Sequence, residues 1–132
     1  QLSSTIIEDL WHKYLFIAIM SGITTLMRQP IGPICNHPSG METIKRLTNE
    51  IIEVMKVAGA PISNELETIQ MEKIANLAPD MKSSMQRDME KGLFVEADHL
   101  HGYLLKIAKT NDLHVPILEA VYANLKIYED TK

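Results

Sequence analysis

Apolar side chains recur along this chain at helical rather than alternating spacing, and the β-branched residues keep the same rhythm, so the pattern predicts an all-α fold without strands. A first long helix, capped by Ser3 or Ser4, runs through Lys13 and the apolar stretch 14–27, with Glu8 and Asp9 near its positive end. Pro30, Gly32, Pro33, Pro38 and Gly40 then form a linker dense in helix breakers. A second helix over about residues 41–58 places Ile44, Leu47, Ile51, Val54, Met55 and Ala58 on one stripe, and Gly59 followed by Pro61 stops it. Ser63 or Asn64 caps a third helix containing Leu66, Ile69, Ile74 and Leu77, and Pro79 marks its end or the first turn of the next. A fourth segment, about residues 80–91, ends at Gly92. The fifth helix begins near Val95 or Glu96 and continues to Lys109, Asn111 and Asp112 turn the chain, and Pro116 opens a last helix reaching about Glu129.

A chain of 132 residues that is 45% hydrophobic can bury one ordinary core, so residues 1–132 read as a single helical domain. The formal net charge of −4 is spread without a basic cluster, which leaves no electrostatic footprint for nucleic acid or for an anionic membrane. Stretch 14–27 includes Ser21, Gly22, Thr24 and Thr25 and lies between Lys13 and Arg28, too short and too polar to span a bilayer, and reads as a buried core helix. Cys35 is the single cysteine, which excludes an internal disulfide and fits a reducing cytoplasm. The chain begins with Gln1 and carries no secretory signal, so we expect a piece of a longer soluble protein whose missing part is N-terminal. None of the six glycines forms a Gly-x-Gly-x-x-Gly loop after a strand, and no dinucleotide-binding loop is visible.

The histidines offer little metal chemistry. His99 and His101 are two apart and point to opposite sides of a helix, while His12, His37 and His114 have no partner at ligand spacing, so no metal site is expected. Cys35 and His37 read as incidental neighbours in the linker, and Met71, Met81, Met85 and Met89 as adaptable core filling.

Three groups remain as candidates for chemistry. Lys13 heads a line with Ile17 and Ser21 on one helix face, since residues four apart stack turn upon turn. Its ammonium, partly desolvated against Trp11 and Phe16, could donate a proton near neutral pH; its plainer role is to lay its stem on the core with the charge in water. Ser83 and Ser84 precede Met85, and either hydroxyl could simply satisfy backbone groups near a helix start. Glu96 could equally be a helix-start carboxylate favoured by the dipole.

Taken together, Leu10-Trp11-His12-Lys13, then Ser84-Met85 with Asp88 four residues after that serine, and Glu96-Ala97-Asp98 twelve residues after it, resemble the C-terminal helical domain of ketopantoate reductases, or 2-dehydropantoate 2-reductases. Gly102 and Val115-Pro116 fall where the family has a glycine and a small-residue-proline pair, and the resemblance covers about residues 10–129. It implies a fold similar to the helical half of 6-phosphogluconate dehydrogenases and a place in pantothenate biosynthesis. It also implies that Lys13 protonates the substrate oxygen, that Ser84 binds the substrate carboxylate, and that Glu96 hydrogen-bonds the reacting end of the substrate and helps hold the lysine. NADP would sit mainly on an N-terminal Rossmann domain in cis that this chain lacks, so the isolated chain should be inactive.

Where the family commonly places asparagines four and eight residues after its lysine, this chain has Ile17 and Ser21. Ser21 retains a hydroxyl for a substrate, whereas Ile17 offers none, so a different 2-keto acid is a second reading. A third, from another class, is a non-catalytic helical dimerisation or interaction module. The apolar stretch 14–27 and the last helix suggest a helix-mediated homodimer.

Overall fold

The computed structural model describes residues 4–131, with the side chain of Ser4 excepted, and among them every regular element is helical. Seven α-helices follow one another: α1 (Ser4–Met27), α2 (Ile31–Asn36), α3 (Pro38–Val57), α4 (Leu66–Ala75), α5 (Ser84–Glu90), α6 (Tyr103–Thr110) and α7 (Pro116–Asp130). A single π-turn, Asp98–Gly102, leads directly into α6. Ser3, the alternative first cap, lies outside the described residues.

The middle of α1 is the axis of the molecule, packed by α7, α3, α5, α2 and the π-turn. Leu15, Ile19 and Ile23 of α1 are wholly buried against Ile44, Leu47 and Ile51 of α3 and Leu118, Val121 and Leu125 of α7. A helix enclosed on nearly all sides has little room for polar side chains, yet Ser21, Thr24 and Thr25 are all buried there. Each donates its hydroxyl to the carbonyl four residues back, at 2.6 Å in every case, and so is buried without an unmet donor. The apolar stretch that suggested a helix-mediated homodimer is therefore largely taken up by this chain's own core, as are the buried residues of α7. The large apolar side chains left exposed include Ile17 within that stretch and, outside it, Ile6, Leu10, Leu93, Phe94 and Tyr103.

Helix stops follow the local chemistry expected of them. After α3, Gly59 takes φ +80°, and the Ala60 N–H reaches the Met55 carbonyl at 3.0 Å while the Gly59 N–H reaches that of Lys56. Ala58, expected on the buried stripe, instead ends the helix and is exposed. After α5, Gly92 at φ 73° permits the same closure, with the Leu93 N–H on the Asp88 carbonyl at 2.8 Å. Pro116 opens α7, whose next free N–H groups, on Ile117 and Leu118, are taken by the Glu50 carboxylate of α3 at 3.1 and 2.8 Å. In α4 the buried line is Leu66, Gln70 and Ile74, and Ile69 is exposed.

The linker expected between residues 30 and 40 is the clearest departure. It holds α2, and α3 already begins at Pro38, whose ring suits a first turn. The glycines here are packed rather than loose. A Cβ on Gly32 would lie 2.6 Å from Pro79, and one on Gly40 would lie 2.1 Å from the Ile34 carbonyl oxygen. The N–H groups of Ile31 and Gly32 donate to the Met81 and Pro79 carbonyls, both at 2.9 Å, so a distant loop caps α2. The fourth and fifth segments start later than expected: α5 at Ser84, and the last helical stretch before the Asn111-Asp112 turn at the π-turn.

Candidate functional site

Lys13 and Ile17 lie one turn apart on the exposed stripe of α1, with Ile17 44% exposed. Farther along the same face stands Thr24, eleven residues from Lys13, or about three turns and roughly 16 Å along the axis. There the start of α5 is fastened. The Thr24 hydroxyl gives its one proton to the Met20 carbonyl, so the 2.7 Å contact with Ser83 is a hydrogen bond donated by Ser83. Ser83 Oγ also accepts from the Gln86 N–H at 3.0 Å, capping α5. Ser83 thus meets the structural need that either serine could have met, and its neighbour Ser84 stays exposed, its hydroxyl making no hydrogen bond among the described residues.

Glu96 lies just before the π-turn, half-buried between buried Val95 and Ala97. One carboxylate oxygen accepts from the Asp98 N–H at 3.2 Å. Asp98 itself is committed to α7, accepting from the Tyr122 hydroxyl at 2.6 Å and the Lys126 ammonium at 2.9 Å. These two donors, Tyr122 first, hold its carboxyl below the usual carboxylate range. Gly102 belongs to the same joint, because a Cβ there would lie 2.9 Å from the Tyr122 ring and 3.1 Å from the Ala97 carbonyl oxygen.

The π-turn is tied to α1 on a face roughly 100–140° around the axis from Lys13, through Tyr14 and Ala18. The Tyr14 hydroxyl donates to the Leu100 carbonyl at 3.3 Å, and His101 Nε2 lies 2.9 Å from the Ala18 carbonyl oxygen. A carbonyl can only accept, so the buried imidazole carries its proton on Nε2, and Nδ1 finds no partner among the described residues. Burial pushes its pKa down to about 4, the Ala18 hydrogen bond opposing only in part, and the ring is neutral near pH 7. Ser21 is 3% exposed; its proton is on the Ile17 carbonyl, and its oxygen lies 3.4 Å from His101 Nε2.

The segments carrying Ser84 and Glu96 therefore both fasten to α1, which carries Lys13, while no hydrogen bond or ion pair joins those three side chains among the described residues. The expected desolvation of Lys13 by its aromatic neighbours is absent. Lys13 is exposed, Trp11 packs edge-on against Tyr14 with centroids 5.9 Å apart, and Phe16 carries the Lys73 ammonium 4.1 Å above its ring. Beside this stripe, Ile7, Leu10, Trp11, Tyr14, His99 and Tyr103 line an open apolar groove of about 420 Å³. Among the described residues no three His, Cys, Asp or Glu side chains are grouped to hold a metal ion, and no helix is long and apolar enough to cross a membrane. The part played by His101 was missed in the sequence. Its spacing with Leu104, Leu105 and Ala108, all buried, was the available signal.

A family model described as the ketopantoate reductase PanE/ApbA C terminal matches residues 5–129. The protein named "Uncharacterized oxidoreductase YkpB" from Bacillus subtilis is 46% identical over 131 residues, covering 99% of this chain and 43% of that protein. A 2-dehydropantoate 2-reductase of Halobacterium salinarum is 25% identical over 111 residues, covering 84% of this chain and 36% of that enzyme. Among solved structures, a dimeric ketopantoate reductase from Staphylococcus aureus superposes with a TM-score of 0.89 at 23% identity, covering 98% of this chain and 45% of that one, which speaks to the fold. The chain thus spans less than half the length of these relatives. With the fold, the motif spacing and these matches in agreement, the chain belongs to the ketopantoate reductase PanE/ApbA C-terminal family.

Proposed function

We propose that this chain is the substrate-binding, proton-donating C-terminal domain of an NADP-dependent reductase of 2-keto acids, with 2-dehydropantoate as first candidate substrate and pantothenate biosynthesis as its setting. The observation that carries the reading is the common attachment to α1: Thr24, farther along the face of the exposed Lys13 and Ile17, seats Ser83 at the head of α5, and Ala18, on the adjoining face, seats His101 of the π-turn. Sequence-paired neighbours divide the labour. Ser83 and Asp98 take the structural bonds with other elements, while Ser84 and the second carboxylate oxygen of Glu96 are left for a ligand.

The described residues contain no strand-to-helix glycine loop and so do not fit a dinucleotide pyrophosphate; the cofactor belongs on an N-terminal Rossmann domain in cis. Bound there, it would supply the hydride for the keto carbon. In this chain, Ser84 binds the substrate carboxylate, Lys13 places a positive charge beside the oxygen on which negative charge develops and gives it a proton, and Glu96 orients the ammonium. Exposed as it is here, Lys13 gains its desolvation only when the cleft between the domains closes. A homodimer and a cytoplasmic location belong to the same reading, supported by the dimeric relative, by exposed Leu10 and Tyr103, and by the lone thiol Cys35.

The test is NADPH oxidation by the full-length parent with 2-dehydropantoate. Lys13→Ala should lower kcat by roughly a hundredfold or more with the fold intact, the range for removing a positioned acid. An unchanged kcat would remove Lys13 from the mechanism. Ile17 supports the second reading, a different 2-keto acid, because an exposed apolar side chain lies one turn from Lys13 where an amide would have read a distal hydroxyl.

A further inference from the structure

We infer that His101 is a positioning residue: bonded to the Ala18 carbonyl, it holds the π-turn, and with it Glu96, in fixed relation to the helix that carries Lys13. The inference rests on the proposed reductase reading and deepens it.

A π-turn is a poor helix on its own, since its wide ring lies outside the favoured backbone geometry, and it persists where surrounding bonds hold it. Here the ring is closed by the Gly102 N–H on the Ala97 carbonyl at 2.8 Å. Its two ends are tied to different helices. Asp98 is bound to Tyr122 and Lys126 of α7, and three residues on, His101 is bound to Ala18 of α1. The imidazole reaches α1 because Gly22 has no side chain; a Cβ there would lie 3.1 Å from Nε2. Burying an imidazole whose Nδ1 has no partner among the described residues is a costly way to fill space, and a leucine would fill it without a stranded acceptor. What the histidine adds is the Nε2–H bond to α1. The bonded carbonyl belongs to the residue after Ile17, and Ser21 Oγ, 3.4 Å from the same nitrogen, bonds the Ile17 carbonyl itself.

The test compares His101→Leu with His101→Gln, whose amide can present an N–H at the Nε2 position, in the full-length parent below the melting temperature of each variant. His101→Leu should lower kcat at least tenfold, His101→Gln should recover most of it, and the Gly102 amide should exchange faster in the leucine variant only. Near wild-type kcat in a folded His101→Leu protein, or equal losses in both variants, would overturn the inference. Lys13→Ala is run alongside. Should it leave kcat unchanged, the reductase reading fails, and amide exchange alone decides the latch: faster exchange rescued by glutamine upholds it, and unchanged exchange refutes it.

Discussion

At the scale of single residues, burial decides what each polar side chain can do. His101 is neutral in the folded chain with a pKa near 4, against an ordinary value of 6.5. As pH falls between those values, the unfolded chain takes up a proton that the folded chain refuses, so stability present at pH 7 is lost through that window, on the order of 3 kcal/mol. Urea melts of this chain at pH 7, 5.5 and 4.5 should show that acid limb, and His101→Gln should remove most of it. Ile17 makes a prediction about choice rather than stability. In the full-length parent, Ile17→Asn should raise the preference for 2-dehydropantoate over a keto acid of similar bulk lacking the distal hydroxyl, by about the 1 kcal/mol of a net neutral hydrogen bond. The ratio of kcat/KM values for the two substrates reads it directly, and a wild type already selective and unmoved by the change would show that another group reads the hydroxyl. Lys13, Ser84 and Glu96 are candidates by resemblance, their intervals matching the family's motif. The division of labour with Ser83 and Asp98 could not be read that way, since it depends on Thr24, Tyr122 and Lys126, which are distant in sequence.

At the scale of elements, proline and glycine carry two meanings that sequence does not separate. Around Gly59 and Gly92 they stop helices, as expected, because the backbone there takes positive φ. Gly32 and Gly40 look the same in the sequence, yet they are contact points where α2 meets the loop at Pro79 and α3 meets Ile34. Gly40→Ala would force a Cβ against a backbone oxygen that cannot step aside, and should destabilise by about 1–3 kcal/mol or more despite alanine's better helix propensity. Thermal melting of the variant checks this, and an unchanged or raised Tm would refute the close approach. The cap on α7 is likewise tertiary. Glu50 comes from α3, and its carboxyl is raised above the usual range chiefly by desolvation, with the Leu118 and Ile117 N–H groups opposing.

At the scale of the whole molecule, the chain has a core of its own around α1 and no dinucleotide cradle among its described residues, so we expect it to fold alone as a helical domain that does not bind NADPH. Circular dichroism would report the fold and calorimetric titration the cofactor; micromolar binding at one site would contradict the proposed division between domains. The sequence by itself determined the helical class, the order of the long helices, the places where αL glycines end them, and the motif intervals that mark the family. These are local properties: hydrophobic period, backbone freedom and residue type act over one or two turns. Tertiary structure alone decided that a breaker-rich linker is a packed helix, that Gly32 and Gly40 are contact points, and that His101 is a buried tie. Each of these depends on which surfaces meet after the chain has closed on itself, because burial, steric room at a glycine and the partner of a buried donor are set by residues dozens of positions away.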